Sequence, residues 1–280
     1  TAYLEPFEFP AWERMAPASC DVLSPISRAL PACSLPYAAA TLPEGLEAEL
    51  VDVGDGAAET VEAAAEQITG RIVLTTAKAR HRQNVYAHCV EKGAAGFALG
   101  GTIPGGILGT GTVAEVSGGS IPAISVSQED REFLQRHLKR DIVRLRMLTH
   151  CRTHVATTWN VVGEITGSEC PEELVLIGGH LDSHDVGPCA YDNGAGAVVV
   201  MEVARLLGAL RGQLRRTVRF IGFAAEEIGL LGSHHHAGKH AEALQDARFM
   251  LNCDMPSLGK PRGLAFHDCP KGEAYVQALS

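Results

Sequence analysis

The chain has 280 residues, 46% of them apolar, and a formal net charge of -9, enough to fill a substantial core in one elaborated domain or two. No long lysine or arginine run breaks the acidic balance, which argues against nucleic-acid and anionic-membrane partners, since both are held through clustered positive charge. Apolar runs such as Ala195–Met201 fall far short of the roughly 20 residues needed to cross a bilayer. The eight cysteines (Cys20, Cys33, Cys89, Cys151, Cys170, Cys189, Cys253 and Cys269) show no CxxC spacing, so mostly free, buried thiols are predicted rather than a zinc finger or a redox pair.

The first forty residues are rich in proline and alanine, and Pro6 and Pro10 bracket Phe7 and Phe9, which predicts loops and short strands. From Leu46, "LEAELVDVG" alternates as a strand does, and "GRIVLTT" over 70–76 is a short apolar run bounded by turn signals. "RQNVYAHCVEKGAAG" predicts a helix that clusters Val85, Cys89 and Val90 and stops at Gly93, with "GFALGG" as the next strand. The glycine-rich "GGTIPGGILGTGTVAEVSGGS" lacks the GxxxxGK[ST] pattern of a phosphate cradle and reads as a surface loop. "IPAISVS" and "QEDREFLQRHLKR" add a strand and an amphipathic helix whose acidic first turn and basic last turn match the helix dipole. These features divide the chain into an N-terminal segment 1–41, a smaller α+β unit 42–145 and a third region 146–280.

After Thr153 the pattern becomes alternating strand and helix: "NVVGEITG", "LVLIGGHLDS", a helix from about Asn193 to Leu210, "RTVRFIGFAAEE", a further helical stretch and "FMLNCDM". An α/β fold is predicted here, a mixed sheet rich in parallel pairs and flanked by helices. Ligands of such sheets gather at the carboxyl ends of strands. His180 and Asp182 end the strand beginning near Leu174, Glu226 and Glu227 the one beginning near Thr217, and Asp254 the one beginning near Phe249.

Alternate residues of an extended segment share a face, so His180 and Asp182 point together and Leu181 is expected to turn into the core. That suits a metal-binding imidazole and the group that orients it. Asp192 is expected at the start of the next helix, where the dipole favours an anion, with Gly194 and Gly196 permitting close backbone approach; it is the candidate bridging ligand. Glu226 and Glu227 are adjacent, so two different jobs are expected: one binds metal and its neighbour takes a proton, with the assignment open. Five carboxylates in one crevice repel, by about 4 kcal/mol per pair at ~4 Å and an effective dielectric of roughly 20. Divalent cations remove that objection, and a mixed histidine and carboxylate set suits Zn²⁺, with Mn²⁺ or Co²⁺ as alternatives. His184 and Asp185 stand between a rim or substrate-facing role and plain loop polarity, and "SHHHAGKH" with His234, His235, His236 and His240 reads as a solvated or partly packed helix face rather than a second metal site.

"GGHLDSHDVGPCAYDNGAG", "FAAEEIGLLGS" and "LNCDM", in this order and spacing, resemble the blocks of the M28 family of zinc-dependent exopeptidases, especially members related to carboxypeptidase Q and to bacterial secreted aminopeptidases. The resemblance covers about 153–268, and 46–145 looks like the protease-associated domain that such enzymes often carry as an insertion. It implies two zinc ions, with His180 and Asp254 as ligands of one, Glu227 of the other and Asp192 bridging. Glu226 then becomes the general base and Asp182 supports His180. The implied reaction is attack of a metal-bridged water on a peptide carbonyl, with Glu226 passing the proton to the leaving amine. The family places a further histidine on the second zinc from a region well downstream of the Asp254 block; His267 follows Asp254 too closely, so the chain reads as a fragment of such an enzyme. The choice between amino- and carboxypeptidase stays open, as does oligomeric state, and the resemblance leans toward an extracellular or cell-envelope location. A noncatalytic binding module on a degenerate peptidase core and a metal-dependent amide deacylase are the alternative functions.

Overall fold

A computed structural model describes residues 1–256 together with 259, 273 and 274; His267 and Cys269 lie outside the described residues. The strands are β1 (Ala2–Ser24), β2 (Arg28–Leu30), β3 (Cys33–Ser34), β4 (Leu46–Asp52), β5 (Ile72–Thr75), β6 (Gly96–Gly100), β7 (Ala123–Val126), β8 (Arg144–Ile165), β9 (Cys170–His180), β10 (Arg216–Phe223) and β11 (Ala247–Asn252). The helices are α1 (Ala58–Ala63), α2 (Ala65–Ile68), α3 (Arg82–Glu91), α4 (Gln128–Leu138), α5 (Ala195–Gly208) and α6 (Leu231–Lys239). The chain divides into two compact units, Pro10–Ala156 and a second made of Thr1–Phe9 with the chain from Thr157 onward.

The unit Pro10–Ala156 contains the strand and helix candidates of the 46–145 region. Strands β4, β5, β6 and β7 run parallel, β8 is antiparallel to β4, and β3 is antiparallel to β7. Short apolar strands separated by helices give this arrangement, because each strand can be buried on both faces: Ile72, Leu74, Ala98, Ile124 and Leu145 are sealed from solvent, with Leu134 of α4 packed among them. Ser127 caps α4, accepting the Asp130 N–H at 3.1 Å. In the glycine-rich stretch Glu129 accepts the N–H groups of Gly105 and Gly106, while Thr112–Ala114 is buried. Cys20, Cys89 and Cys151 here, and Cys170, Cys189 and Cys253 in the other unit, carry free thiols, of which Cys20, Cys89 and Cys253 are buried.

The N-terminal reading needs correction: instead of loops and short strands, Ala2–Ser24 is one long strand. Proline lacks only the N–H, a loss that a strand tolerates where that group has no ladder partner. Residues 2–9 of β1 belong to the second unit, where Phe7 packs with Ala224 and Ala225.

In that unit β9 lies between β10 and β11 and runs parallel to both, while β8 is antiparallel to β10. Two cores sandwich the sheet. On one face Val200, Val203, Ala204 and Leu207 of α5, spaced as one helical stripe, cover Ile177, Val218 and Phe220; on the other lie Val162, Leu176, Ile221 and Phe223. The result is the predicted mixed α/β sheet, with three parallel strands opening at a shared carboxyl edge.

Candidate metal centre

Phe223 of β10 is in register with His180 of β9, and Asn252 of β11 with Gly178. Residues that follow the three strands are therefore delivered to one place. His180 closes β9 with its ring 3% exposed. Beyond it burial alternates: Leu181 and Ser183 are exposed, Asp182 and His184 half-buried. Leu181 does not enter the core as expected. It is 45% exposed because it follows the last residue of β9, and its side chain lies over Gly222, where a Cβ would stand 2.0 Å from it.

Asp182 serves both neighbouring strands. His180 Nδ1–H donates to the Asp182 backbone carbonyl at 3.0 Å, which directs the imidazole through Nε2, while the carboxylate stands 3.8 Å from the ring. That carboxylate accepts the backbone N–H of Glu226 at Oδ1 (3.0 Å) and of Glu227 at Oδ2 (3.1 Å). Burial would raise the pKa of Asp182, but the adjacent His180 and these two N–H groups lower it. The glutamates lie just past β10, which stops at Phe223, in a turn where Ala225 adopts φ +58°.

Asp192 lies in the turn Ala190–Gly194 at φ -113°, ψ 91°, ahead of α5 rather than in its first turn. Beside it Asn193 is buried and ties the segments together. Its Nδ2 donates to the Cys253 carbonyl at 2.8 Å, and its Oδ1 accepts from Gly196 N–H (3.1 Å) and Met255 N–H (3.2 Å). A Cβ at Gly196 would stand 2.1 Å from the Cys253 carbonyl oxygen, so glycine is what lets the start of α5 approach the segment carrying Asp254.

His180 Nε2 is 3.0 Å from Asp192 Oδ1, 3.4 Å from Asp254 Oδ1 and 4.0 Å from Glu226 Oε2. Donor atoms of His180, Asp192 and Glu227 all lie within 4.8 Å of one another. Two donors on a tetrahedral zinc with ~2.1 Å bonds are about 3.4 Å apart, so the spacing fits. Among the described residues, Asp192, Asp254 and Glu226 have His180 as their ion-pair partner and no lysine or arginine. Crowded carboxylates shift the site accordingly. Burial, then Asp192 and Glu226, raise Glu227 to about 7; burial also raises Glu226; and although burial opposes it, Asp182, Glu226 and Asp254 raise His180 to about 9. A site that retains protons this way has an unmet demand for positive charge, and its mixed imidazole and carboxylate donors suit a divalent cation such as zinc.

His184 Nε2 meets Glu227 Oε2 at 2.9 Å, whereas Asp185 is exposed. The alternation that aligns His180 with Asp182 extends to His184 and is the signal for it. Asn193 carried no comparable signal.

The helix "SHHHAGKH" also departs from expectation. His234 is exposed, but His236 is 2% exposed and fully inside. Its Nδ1 is 3.0 Å from Glu5 Oε1, His240 Nε2 is 2.6 Å from Glu5 Oε2, and Asn160 Nδ2 donates to Glu5 Oε1 at 3.1 Å. The donors converge as a metal site would require, yet Arg219 NH1 lies 3.4 Å from His236 Nε2. Arginine can only donate, so Nε2 accepts and Nδ1 carries the proton that Glu5 receives. A cation on Nδ1 would leave two N–H groups facing each other. This cluster is a hydrogen-bonded one.

Residues 160–278 match the family described as Peptidase family M28. Carboxypeptidase Q of Homo sapiens is 29% identical over 291 residues, covering 99% of this chain and 60% of that protein. The crystal structure of a Peptidase M28 precursor from Shewanella amazonensis SB2B superposes with a TM-score of 0.78 at 31% identity, covering 91% of this chain and 61% of that one. BSAP, a zinc aminopeptidase from Bacillus subtilis, has the same fold at 24% identity, with a TM-score of 0.70 and coverage of 91% and 59%. The chain thus spans about 60% of the length of the curated carboxypeptidase Q relatives it matches. Residues 160–278, with their strand-end site, are thus similar to peptidase family M28.

Proposed function

We propose that this protein is, or is part of, a zinc-dependent exopeptidase acting on peptide substrates, with His180, Asp192, Glu227 and Asp254 holding two zinc ions and Glu226 acting as general base. The observation that supports this most is the convergence of His180, Asp192 and Glu227 within 4.8 Å, at the shared ends of parallel strands and beside Asp254. Zinc, when bound, supplies Lewis acidity toward a peptide carbonyl and toward water. Within the chain, Asp192 stands closest to His180 and suits the bridging position. Glu226 lies 4.0 Å from His180, at the border of the donor cluster, and burial raises its pKa above the ordinary carboxylate value. It would take a proton from the attacking water and return it to the leaving amine. Asp182 fixes the order of these groups, holding the His180 ring through its carbonyl and the Glu226–Glu227 backbone through its carboxylate. Residues 42–145, which lie within the unit Pro10–Ala156, are proposed as a protease-associated domain, and an extracellular or cell-envelope setting accords with the whole.

The test is metal analysis and hydrolysis of aminoacyl and dipeptide substrates by the protein with its natural flanking sequence, alongside Glu226→Gln. Zinc retained by the variant with a rate loss of about 10²- to 10⁴-fold is expected. A wild type that neither binds zinc nor cleaves these substrates, or a variant as fast as the wild type, contradicts the proposal.

A further inference from the structure

Glu227 is held from one short extended segment at two points. Asp182 grips its backbone N–H, and His184, two residues further on the same face, brings Nε2 to 2.9 Å from its Oε2. The two side chains are 22% and 14% exposed respectively, so the contact is shielded enough to matter. The His184 main chain is tied in turn, because its carbonyl accepts from Cys189 Sγ at 3.2 Å and closes the 184–189 loop. Glu227 needs such a hold, since its carboxylate stands among those of Asp192 and Glu226 and is repelled by both.

Two roles would bring an imidazole to that oxygen, ligand or positioner. Among the described residues, the donors that converge with Glu227 are those of His180 and Asp192, and His184 is not in that set. A carboxylate has capacity for a hydrogen bond in addition to a cation, so a donor outside the cluster constrains the group without displacing an ion.

We infer that His184 is a positioning residue for the metal centre, its Nε2–H holding the Glu227 carboxylate in the orientation from which it reaches zinc. This rests on the zinc reading above. Removing an outer partner of a metal ligand costs typically 10- to 100-fold in metal affinity. Zinc affinity by chelator competition is therefore measured for the wild type, H184F, H184A and H184Q, with the visible spectrum of the cobalt-substituted protein as a second readout. Phe keeps the ring volume without the donor, and Gln keeps a donor without the ring. The expected result is a 10- to 100-fold loss and an altered cobalt spectrum in H184F and H184A, with H184Q recovering most of both. Wild-type affinity in H184F, or equal losses in H184F and H184Q, overturns the role of His184 while leaving the zinc reading intact. A wild type without zinc, or Asp192→Asn binding zinc as the wild type does, overturns the zinc reading and this inference with it.

Discussion

Glu5 and Glu227 are both glutamates with an imidazole nitrogen within 3.0 Å of a carboxylate oxygen, yet Glu5 is lowered to about 2 while Glu227 is raised to about 7. Burial pushes both upward. Around Glu5 it is overcome by hydrogen bonds from Asn160, His240 and His236, with Lys239 Nζ a further 3.6 Å away. Around Glu227 it is reinforced by Asp192 and Glu226. The first cluster is rich in donors and complete; the second is rich in acceptors and calls for cations. A count of histidines and acids does not separate them. The identity of the outermost neighbour does: Arg219 facing His236 in one, a ring of carboxylates facing His180 in the other.

Substitutions that treat the clusters alike should have opposite consequences. Glu5→Gln places an amide N–H₂ against imidazole N–H groups at a fully buried side chain, and should destabilise the protein by about 3 kcal/mol in denaturant unfolding while leaving zinc content unchanged. If zinc falls with it, the clusters are not independent. Acid should find the same weakness. A carboxyl lowered in the folded state contributes stability that is full above its unfolded value near 4.5 and is lost as pH falls toward about 2. His236, lowered by burial, acts in the same direction below its ordinary 6.5, because the unfolded chain then binds the proton more readily. Wild type should therefore lose about 3 kcal/mol between pH 6.5 and 2 through Glu5, with His236 adding in the same direction, and the pH slope should flatten in Glu5→Gln; an unchanged slope contradicts the assignment. The smallest stability effect belongs to Asp192→Asn. Its side chain is 43% exposed, so solvent screening holds the change in metal-free stability within about 1 kcal/mol, while zinc binding weakens more than tenfold. A large destabilisation of the metal-free variant would place Asp192 in the structural class with Glu5.

Local pattern made much of this legible. The strands ending at His180, before Glu226 and before Asp254 are short apolar runs, and their alternation with helices implied that their carboxyl ends would meet. The same alternation, extended past its strand, reaches His184. What escaped was decided by distant neighbours. Leu181 looks like a core residue until the sheet is seen to end beside it. His236 looks like one of several solvated histidines until residue 5, far away along the chain, is found beneath it. Asn193 has no pattern of its own, and its importance lies in joining Cys253, Gly196 and Met255.

The amino-acid order by itself determined which side chains of the candidate metal centre are available and on which strand ends they lie, because helix and strand periodicities are properties of neighbouring residues. Only the tertiary structure decided which imidazoles face excess carboxylate and which face a balancing set of donors, because the proton or cation a histidine carries depends on groups that folding brings to it from elsewhere in the chain.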